Sequence, residues 1–335
     1  MKAVTIISGV AGMTGSMAAV KLLERGDTVV GFDNFFAGSR NVIAHMLSAK
    51  NFHFFEYDIT NAENMNSLFA FVESEYPVRS CRLSLINCAG VVHTRHFYHP
   101  DETFVTNVTA MREILERAIN AGFCSFINCS TSEVYSMKSW QKGGVREDGP
   151  VVIATAEQSL RTSYAAGKLI TEFFMRDAVE RGRIKGCSVR FANVYSPEEA
   201  HDEHIIPHII ASLSRDKKVV LLENARATYR SFLHNSDSCD SVISLLDTPA
   251  ALDGSVYNSG SNEEIAVVDL VTTIAGLMGM GLSGFSIEFD GRRSADPPRR
   301  LLNTDKIFEA TGWAPQIPLI EGLSQCVQFY NERHK

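Results

Sequence analysis

No cysteine pairing is written into this 335-residue chain. Its seven cysteines, at 81, 88, 124, 129, 187, 239 and 326, show no CxxC spacing and no His-rich companion segment. That excludes a zinc ribbon and a disulfide scaffold, indicates no metal, and fits a reducing cytoplasm. An excess of positive charge is also missing: 32 Lys and Arg stand against 39 Asp and Glu, for a net charge of −7 and a pI near 5.8. A nucleic-acid surface is therefore not expected, and any anionic ligand must be held by local groups. No apolar run approaches the roughly 20 residues that span a bilayer, so no membrane partner is expected. The opening MKAVTIISGVAGMTG reaches a glycine turn too early for a signal sequence and reads as a strand. Repeats, low-complexity segments and Gly/Ser- or Pro-rich linkers are absent too. What remains is 45% hydrophobic, enough for a sizeable core in one large domain or two ordinary ones.

Short apolar runs alternate with amphipathic stretches from the start: Ala3 to Ser8, Met13 to Arg25, Thr28 to Asp33 and Arg40 to Leu47. The alternation continues through Phe52 to Tyr57, Ala62 to Ser74, Leu83 to Cys88, a long helix over Glu102 to Ala121, and Ser125 to Cys129. Five such strands predict an α/β fold, a Rossmann-type doubly wound parallel sheet. Beyond about residue 195 the regularity weakens. Short strands at Val219 to Leu222, Ser255 to Asn258 and Ser286 to Phe289 point to a smaller C-terminal α/β lobe that packs on the sheet, with a ligand cleft between.

Gly9, Gly12 and Gly15 follow the first strand and open a helix with Met13 and Thr14, so backbone N–H groups and the positive helix end can meet a pyrophosphate. A glycine trio alone is also an ordinary tight turn. Asp33 adds weight: it ends the second strand 18 residues beyond Gly15, where a carboxylate accepts from a ribose and repels a 2′-phosphate, so NAD is favoured over NADP. Arg40 nearby is expected to be a solvated helix residue. Asp58-Ile59 and Ala89-Gly90 lie after the third and fourth strands, at the sheet edge where such folds bind ligands.

Tyr164 and Lys168 stand at i and i+4 of a helix, which places an ammonium where it favours a phenolate. Taken alone the spacing is common and fits a surface pair. Thr131, Ser132 and Glu133 follow the fifth strand and bring hydroxyls and a carboxylate to the same edge, although a Ser/Thr-rich turn reads alike. The histidines at 93, 96, 99, 201, 204 and 208 recur at spacings of three and four without a carboxylate-rich partner motif and are read as surface residues.

These residues, with Asn34, Gly38, Asn107 in the long helix, Arg190 to Pro197 (RFANVYSP) and Gly312-Trp313, resemble the extended short-chain dehydrogenase/reductases of the NAD-dependent epimerase/dehydratase family, which act on sugar nucleotides. Asp33 to Gly38, Thr131 to Tyr135 and Arg230-Ser231-Phe232 most resemble the UDP-glucuronate decarboxylases within it. The resemblance implies that Tyr164 is the base, that Lys168 binds the nicotinamide ribose and tunes it, that Thr131 and Ser132 hold the reacting sugar, and that Glu133 assists proton transfer. It further implies a UDP-linked substrate held by Asn193, Arg230, Arg293 and Arg300, and a homodimer through the two long helices. Residues 1–195 are expected to carry NAD and the Tyr/Lys pair, and 196–335 mainly the sugar nucleotide, with some C-terminal segments returning to the sheet.

The chain departs from the family at Ser136 and Ser196, where glycine is usual, in a short Glu198 to Ile206 segment, and at Glu223 to Thr228 in place of a Gly-rich turn. A 4-epimerase or a 4,6-dehydratase shares the opening oxidation at C4 with a decarboxylase. A non-catalytic NAD-binding sensor on the same fold is the reading from another class.

Overall fold

The computed structural model describes all residues except 93, 136–142, 200–203, 293–297 and 334–335. Seven parallel strands form its central sheet: β1 (Lys2–Ser8), β2 (Thr28–Asp33), β3 (Phe52–Glu56), β4 (Cys81–Asn87), β5 (Ser125–Thr131), β6 (Lys185–Phe191) and β7 (Asp253–Ser259). Their order is β7-β6-β5-β4-β1-β2-β3, every neighbouring pair parallel. The apolar runs of β1, β4 and β5 follow from helices covering both faces of the sheet. One face packs Met13–Glu24 and Asn235–Leu246 with Trp313; the other packs Ala62–Glu75, Met111–Asn120 and Thr162–Glu180. Each large apolar side chain so enclosed contributes about 1.5–3 kcal/mol.

Two strands more than the five expected complete the sheet. β6 ends in the Arg190-Phe191 that opens RFANVYSP, and β7 comes from far along the chain, bringing the Ser255 to Asn258 stretch expected in the smaller lobe into the main sheet. The long helix expected over Glu102 to Ala121 is three segments: Pro100–Phe104, a π-helical Val105–Ala110, and Met111–Asn120. The widened turn carries Asn107, whose buried amide accepts from Val91 N–H at 2.7 Å and donates to Val91 C=O at 3.1 Å. A local departure from α geometry thereby clamps the loop after β4.

The remaining residues build a smaller layer around a second core. Asn193–Tyr195, Tyr229–His234, Glu264–Ala266 and Arg299–Arg300 make one small sheet, and Lys218–Leu221 pairs with Ser286–Phe289. Helices Ile205–Asp216, Val267–Leu277 and Leu319–Arg333 close that core. Asn235–Leu246 returns to the first layer, where Lys21 pairs with Asp240 at 2.8 Å and Trp313 Nε1 donates to Asp237 C=O at 3.1 Å. Among the described residues no helix is long and apolar enough to cross a membrane.

Candidate active site

The strand order reverses between β1 and β4, and the chain ends there diverge to leave a crevice. Gly9 sits at the apex with φ +69°, and a Cβ on it would lie 2.9 Å from Ala89 N. A Cβ on Gly15 would lie 2.2 Å from Gly9 O, so only glycine lets the helix Met13–Glu24 pack on the turn. On Gly12, the N-cap, a Cβ would meet only Gly9 O at 3.3 Å. The first-turn N–H groups of that helix therefore face a cavity of about 710 Å³. Met13 and Thr14 border it beside the three glycines, and Gly38, whose Cβ would strike Ala11 O at 2.6 Å, borders its outer side.

Asp33 is buried at the end of β2 and accepts from Ala11 N–H at 3.0 Å and Phe35 N–H at 2.7 Å. Burial raises its pKa above the usual carboxylate range, against the pull of those N–H groups. Asn34 donates to Asp58 at 2.9 Å and both line the cavity with Ile59. Desolvation acts to raise the Asp58 pKa, but hydrogen bonds from Thr60 and Asn34 outweigh it and hold the group below its ordinary value. Arg40 is engaged elsewhere: it pairs with Glu56, its guanidinium carbon 5.0 Å from the Phe35 ring centre. Ala89 and Gly90 line the cavity's inner end. A Cβ on Gly90 would stand 3.1 Å from Asn107 Oδ1 and 3.4 Å from Lys168 Nζ, which places both residues directly behind this wall.

A second cavity of about 760 Å³ adjoins the first, with Val92, Glu199 and His204 bordering both. Thr131, Glu133, Tyr164, Asn193 and Arg230 line it; Ser132 is buried behind Thr131 and does not. Arg293 and Ser136 lie outside the described residues, as do His93 and His201. His96 and His204 pair with Glu102 and Glu199, and no group of three or more potential metal ligands converges among the described residues.

Tyr164 is buried and stacks on Phe97 at 4.0 Å with 9° between the planes. Burial raises its pKa most, the charge of Glu133 raises it further, and a hydrogen bond with Thr131 opposes them. The Lys168 side chain, expected from the helical spacing to favour the phenolate, lies one turn along the same helix. Its ammonium is buried, with its pKa lowered by that burial, and donates to Cys129 C=O at 2.9 Å. It lies close behind Gly90, whose backbone borders the cofactor cavity.

Glu133 is clamped. Arg300 donates to it at 2.7 and 3.4 Å, and Arg161 at 3.4 Å. Arg300 was expected among substrate contacts; its guanidinium meets the carboxylate of the strand-end turn. Sequence spacing missed Arg161, three residues before Tyr164, and Arg292, which borders the same cavity and pairs with Asp290. It also missed a buried network beneath the site. Ser130 donates to Glu172 at 2.5 Å, Arg190 grips Glu172 at 2.9 and 2.6 Å and donates to Tyr135 at 2.5 Å, and Tyr135 donates to Asn258 on β7. Glu172 lies one turn beyond Lys168, the only signal that helical spacing offered.

Residues 5–260 match the family described as NAD dependent epimerase/dehydratase. The chain belongs to this family. UDP-glucuronic acid decarboxylase 1 of Arabidopsis thaliana is 26% identical over 98% of this chain and 70% of its own length. The low-salt glycan biosynthesis protein Agl12 of Haloferax volcanii is 28% identical over 97% of each. The crystal structure of DesIV, a dTDP-glucose 4,6-dehydratase from Streptomyces venezuelae with NAD and TYD bound, superposes with a TM-score of 0.84 at 23% identity, covering 99% of this chain and 98% of that one. As an NAD-dependent enzyme of this family, the chain has a cofactor cavity whose glycine cradle, strand-end Asp33 and first-turn N–H groups fit the dinucleotide.

Proposed function

We propose that this enzyme remodels the sugar of a UDP-linked sugar nucleotide through transient oxidation at C4, as a UDP-glucuronate decarboxylase does. One observation carries the reading: Tyr164 and Thr131 line the same cavity, and that cavity adjoins the dinucleotide cavity. Gly9, Gly12, Gly15, Met13 and Thr14 hold the pyrophosphate, Asp33 the adenosine ribose, and Lys168, behind Gly90, the nicotinamide ribose. Bound NAD supplies the acceptor and then the donor of a hydride at the sugar carbon, so no net oxidation results.

The chain's own groups do the rest. Tyr164 takes the C4 hydroxyl proton and later returns it. Thr131 holds that hydroxyl, with Ser132 supporting the turn. Phe97 and burial keep water from the phenol. With a ketone at C4, a C6 carboxylate is a β-keto acid and loses carbon dioxide, the ketone taking the electron pair as an enolate; a proton from water, moved with the help of Glu133, then adds at C5 and restores the ketone before hydride returns to C4. Asn193 and Arg230 take the diphosphate end, with Arg293 assigned there from sequence.

In this reading residues 1–195 carry NAD and 196–335 mainly the nucleotide sugar, in the cytoplasm. A homodimer is supported by exposed apolar side chains on the π-helical stretch with the segment before it, and on the Thr162–Glu180 helix: Phe104, Val105, Ile170 and Phe173. Incubation of purified protein and NAD with UDP-, dTDP-, GDP- and CDP-sugars, read by mass spectrometry and proton NMR, tests the proposal. It requires loss of carbon dioxide from UDP-glucuronate; an unchanged mass with altered C4 coupling would make the enzyme a 4-epimerase, and no turnover of any sugar would make it a sensor.

A further inference from the structure

This inference rests on the reading that Tyr164 and Thr131 act at sugar C4, and it concerns what holds those two residues in place relative to one another. Tyr164, Lys168 and Glu172 follow at intervals of four along the helix Thr162–Glu180, all on its buried face, with Thr171 beside them. Three successive residues of β5 meet that face: Asn128 Nδ2 donates to Thr171 Oγ1 at 3.0 Å, Cys129 C=O accepts from Lys168 Nζ at 2.9 Å, and Ser130 Oγ donates to Glu172 Oε1 at 2.5 Å. Thr131, the next residue, lines the sugar cavity with Tyr164. The Glu172 carboxylate also reaches the far end of the turn that follows β5. Arg190 donates to both its oxygens, at 2.9 and 2.6 Å, and donates in addition to Tyr135, the last residue of that turn, at 2.5 Å. Ser130 and Tyr135 flank the stretch from Thr131 to Val134. That stretch is therefore held at both ends from one carboxylate, and the carboxylate belongs to the helix of Tyr164.

Stability alone does not call for this arrangement. Ser130, Glu172 and Arg190 are each at most 5% exposed, and replacing a buried ion pair by well-packed apolar side chains is often neutral or stabilising. What the ionic network adds is direction. Apolar packing tolerates small shifts of a helix over a sheet, whereas charge-assisted hydrogen bonds between fixed atoms hold one register. Proton transfer is sensitive on that scale, since a misplacement of about 1 Å can lower a rate about 100-fold. Glu172 borders neither cavity. We propose that Glu172 is a positioning residue, fixing the Tyr164 helix and the Thr131 turn at the separation that proton transfer at C4 requires.

The test cuts the two ties and leaves the Glu172–Arg190 pair intact. Ser130→Ala removes the near tie and Tyr135→Phe the far one. Ser125→Ala is the control: it breaks an equally buried bond, from Ser125 Oγ to Ser84 Oγ at 2.8 Å, at the opposite end of β5. Kinetics use the nucleotide sugar that the panel above identifies, UDP-glucuronate in our reading. Ser130→Ala and Tyr135→Phe should lower kcat about 10- to 100-fold, with the sugar KM and NAD affinity changed by less than about twofold, while Ser125→Ala keeps its kcat. Equal loss of kcat in the control, or full kcat in the first two variants, would overturn the proposal. Amide hydrogen exchange of the NAD-loaded proteins, read by mass spectrometry, needs no sugar. Residues 131–135 should exchange faster in Ser130→Ala and Tyr135→Phe and at the parent rate in Ser125→Ala; unchanged exchange in all three would overturn the proposal. If no sugar is turned over, oxidation at C4 falls, and exchange still decides whether the carboxylate holds the turn, so the two ideas fail separately.

Discussion

The two cavities are built from different materials. The cofactor cavity is bounded largely by backbone: glycines whose missing Cβ atoms let β1, β4 and the first helix close up, and N–H groups held by Asp33. The sugar cavity is bounded by long side chains from at least five separated segments, including Glu133, Arg161, Asn193, Arg230 and Arg292. A backbone cradle tolerates almost no substitution but recognises only a shape that many relatives share. A side-chain wall can be rewritten residue by residue, and substrate choice resides there.

The contrast can be broken most forcefully at Tyr164. Tyr164→Phe should lower kcat about 10²- to 10⁴-fold, the worth of a positioned acid–base group, with NAD affinity unchanged in a fluorescence titration. A comparable loss of NAD affinity would show that the phenol belongs to the cradle. Beneath both cavities, Glu172→Gln leaves Arg190 buried without its ionic partner and should cost about 3–5 kcal/mol in denaturant unfolding. An undisturbed midpoint would mean the network is dispensable. Gly15→Ala should cost roughly 1–3 kcal/mol and weaken NAD, because backbone must shift to admit the methyl group. A variant with unchanged NAD affinity would deny the cradle its role.

The smallest effect concerns pH. Burial raises the Asp33 pKa, so acidification protonates it sooner than an exposed aspartate, and NAD binding should weaken by about 1.5 kcal/mol, roughly tenfold, as pH falls through that raised value. The stability effect has the opposite sign. A carboxyl whose pKa is raised by folding contributes stability below its unfolded pKa and loses that contribution as pH rises through the folded one. Isothermal titration across the acid range checks the first, and thermal unfolding of the NAD-free protein checks the second.

How far each cavity was legible follows from the same difference. The turn Gly9 to Gly15, Asp33 and Ala89-Gly90 are short-range patterns at strand ends, and their positions in the crevice follow from the sheet topology they announce. Tyr164 and Thr131 were legible for the same reason, one on a helix with clear spacing and the other at the end of β5. Arg161, Arg292 and the Glu172–Arg190–Tyr135 network were not, because what unites them is proximity in space across the chain. The i, i+4 spacing put Lys168 on the helix face of Tyr164, but it carried no sign that the ammonium donates to Cys129 C=O while the phenol stacks on Phe97. The π-helical turn at Asn107 was illegible since an amphipathic pattern does not register one extra residue per turn.

The central claim is that bound NAD takes hydrogen from sugar C4 and gives it back. UDP-glucuronate deuterated at C4 tests this most directly, with the pentose product examined by NMR and the rate compared with that of the unlabelled sugar. The account predicts decarboxylated product that retains deuterium at C4, with a slowed rate and a transient absorbance of reduced nicotinamide. Product formed at an unchanged rate without that absorbance, or sugar returned unreacted with its label in place and no NAD reduced, would contradict it.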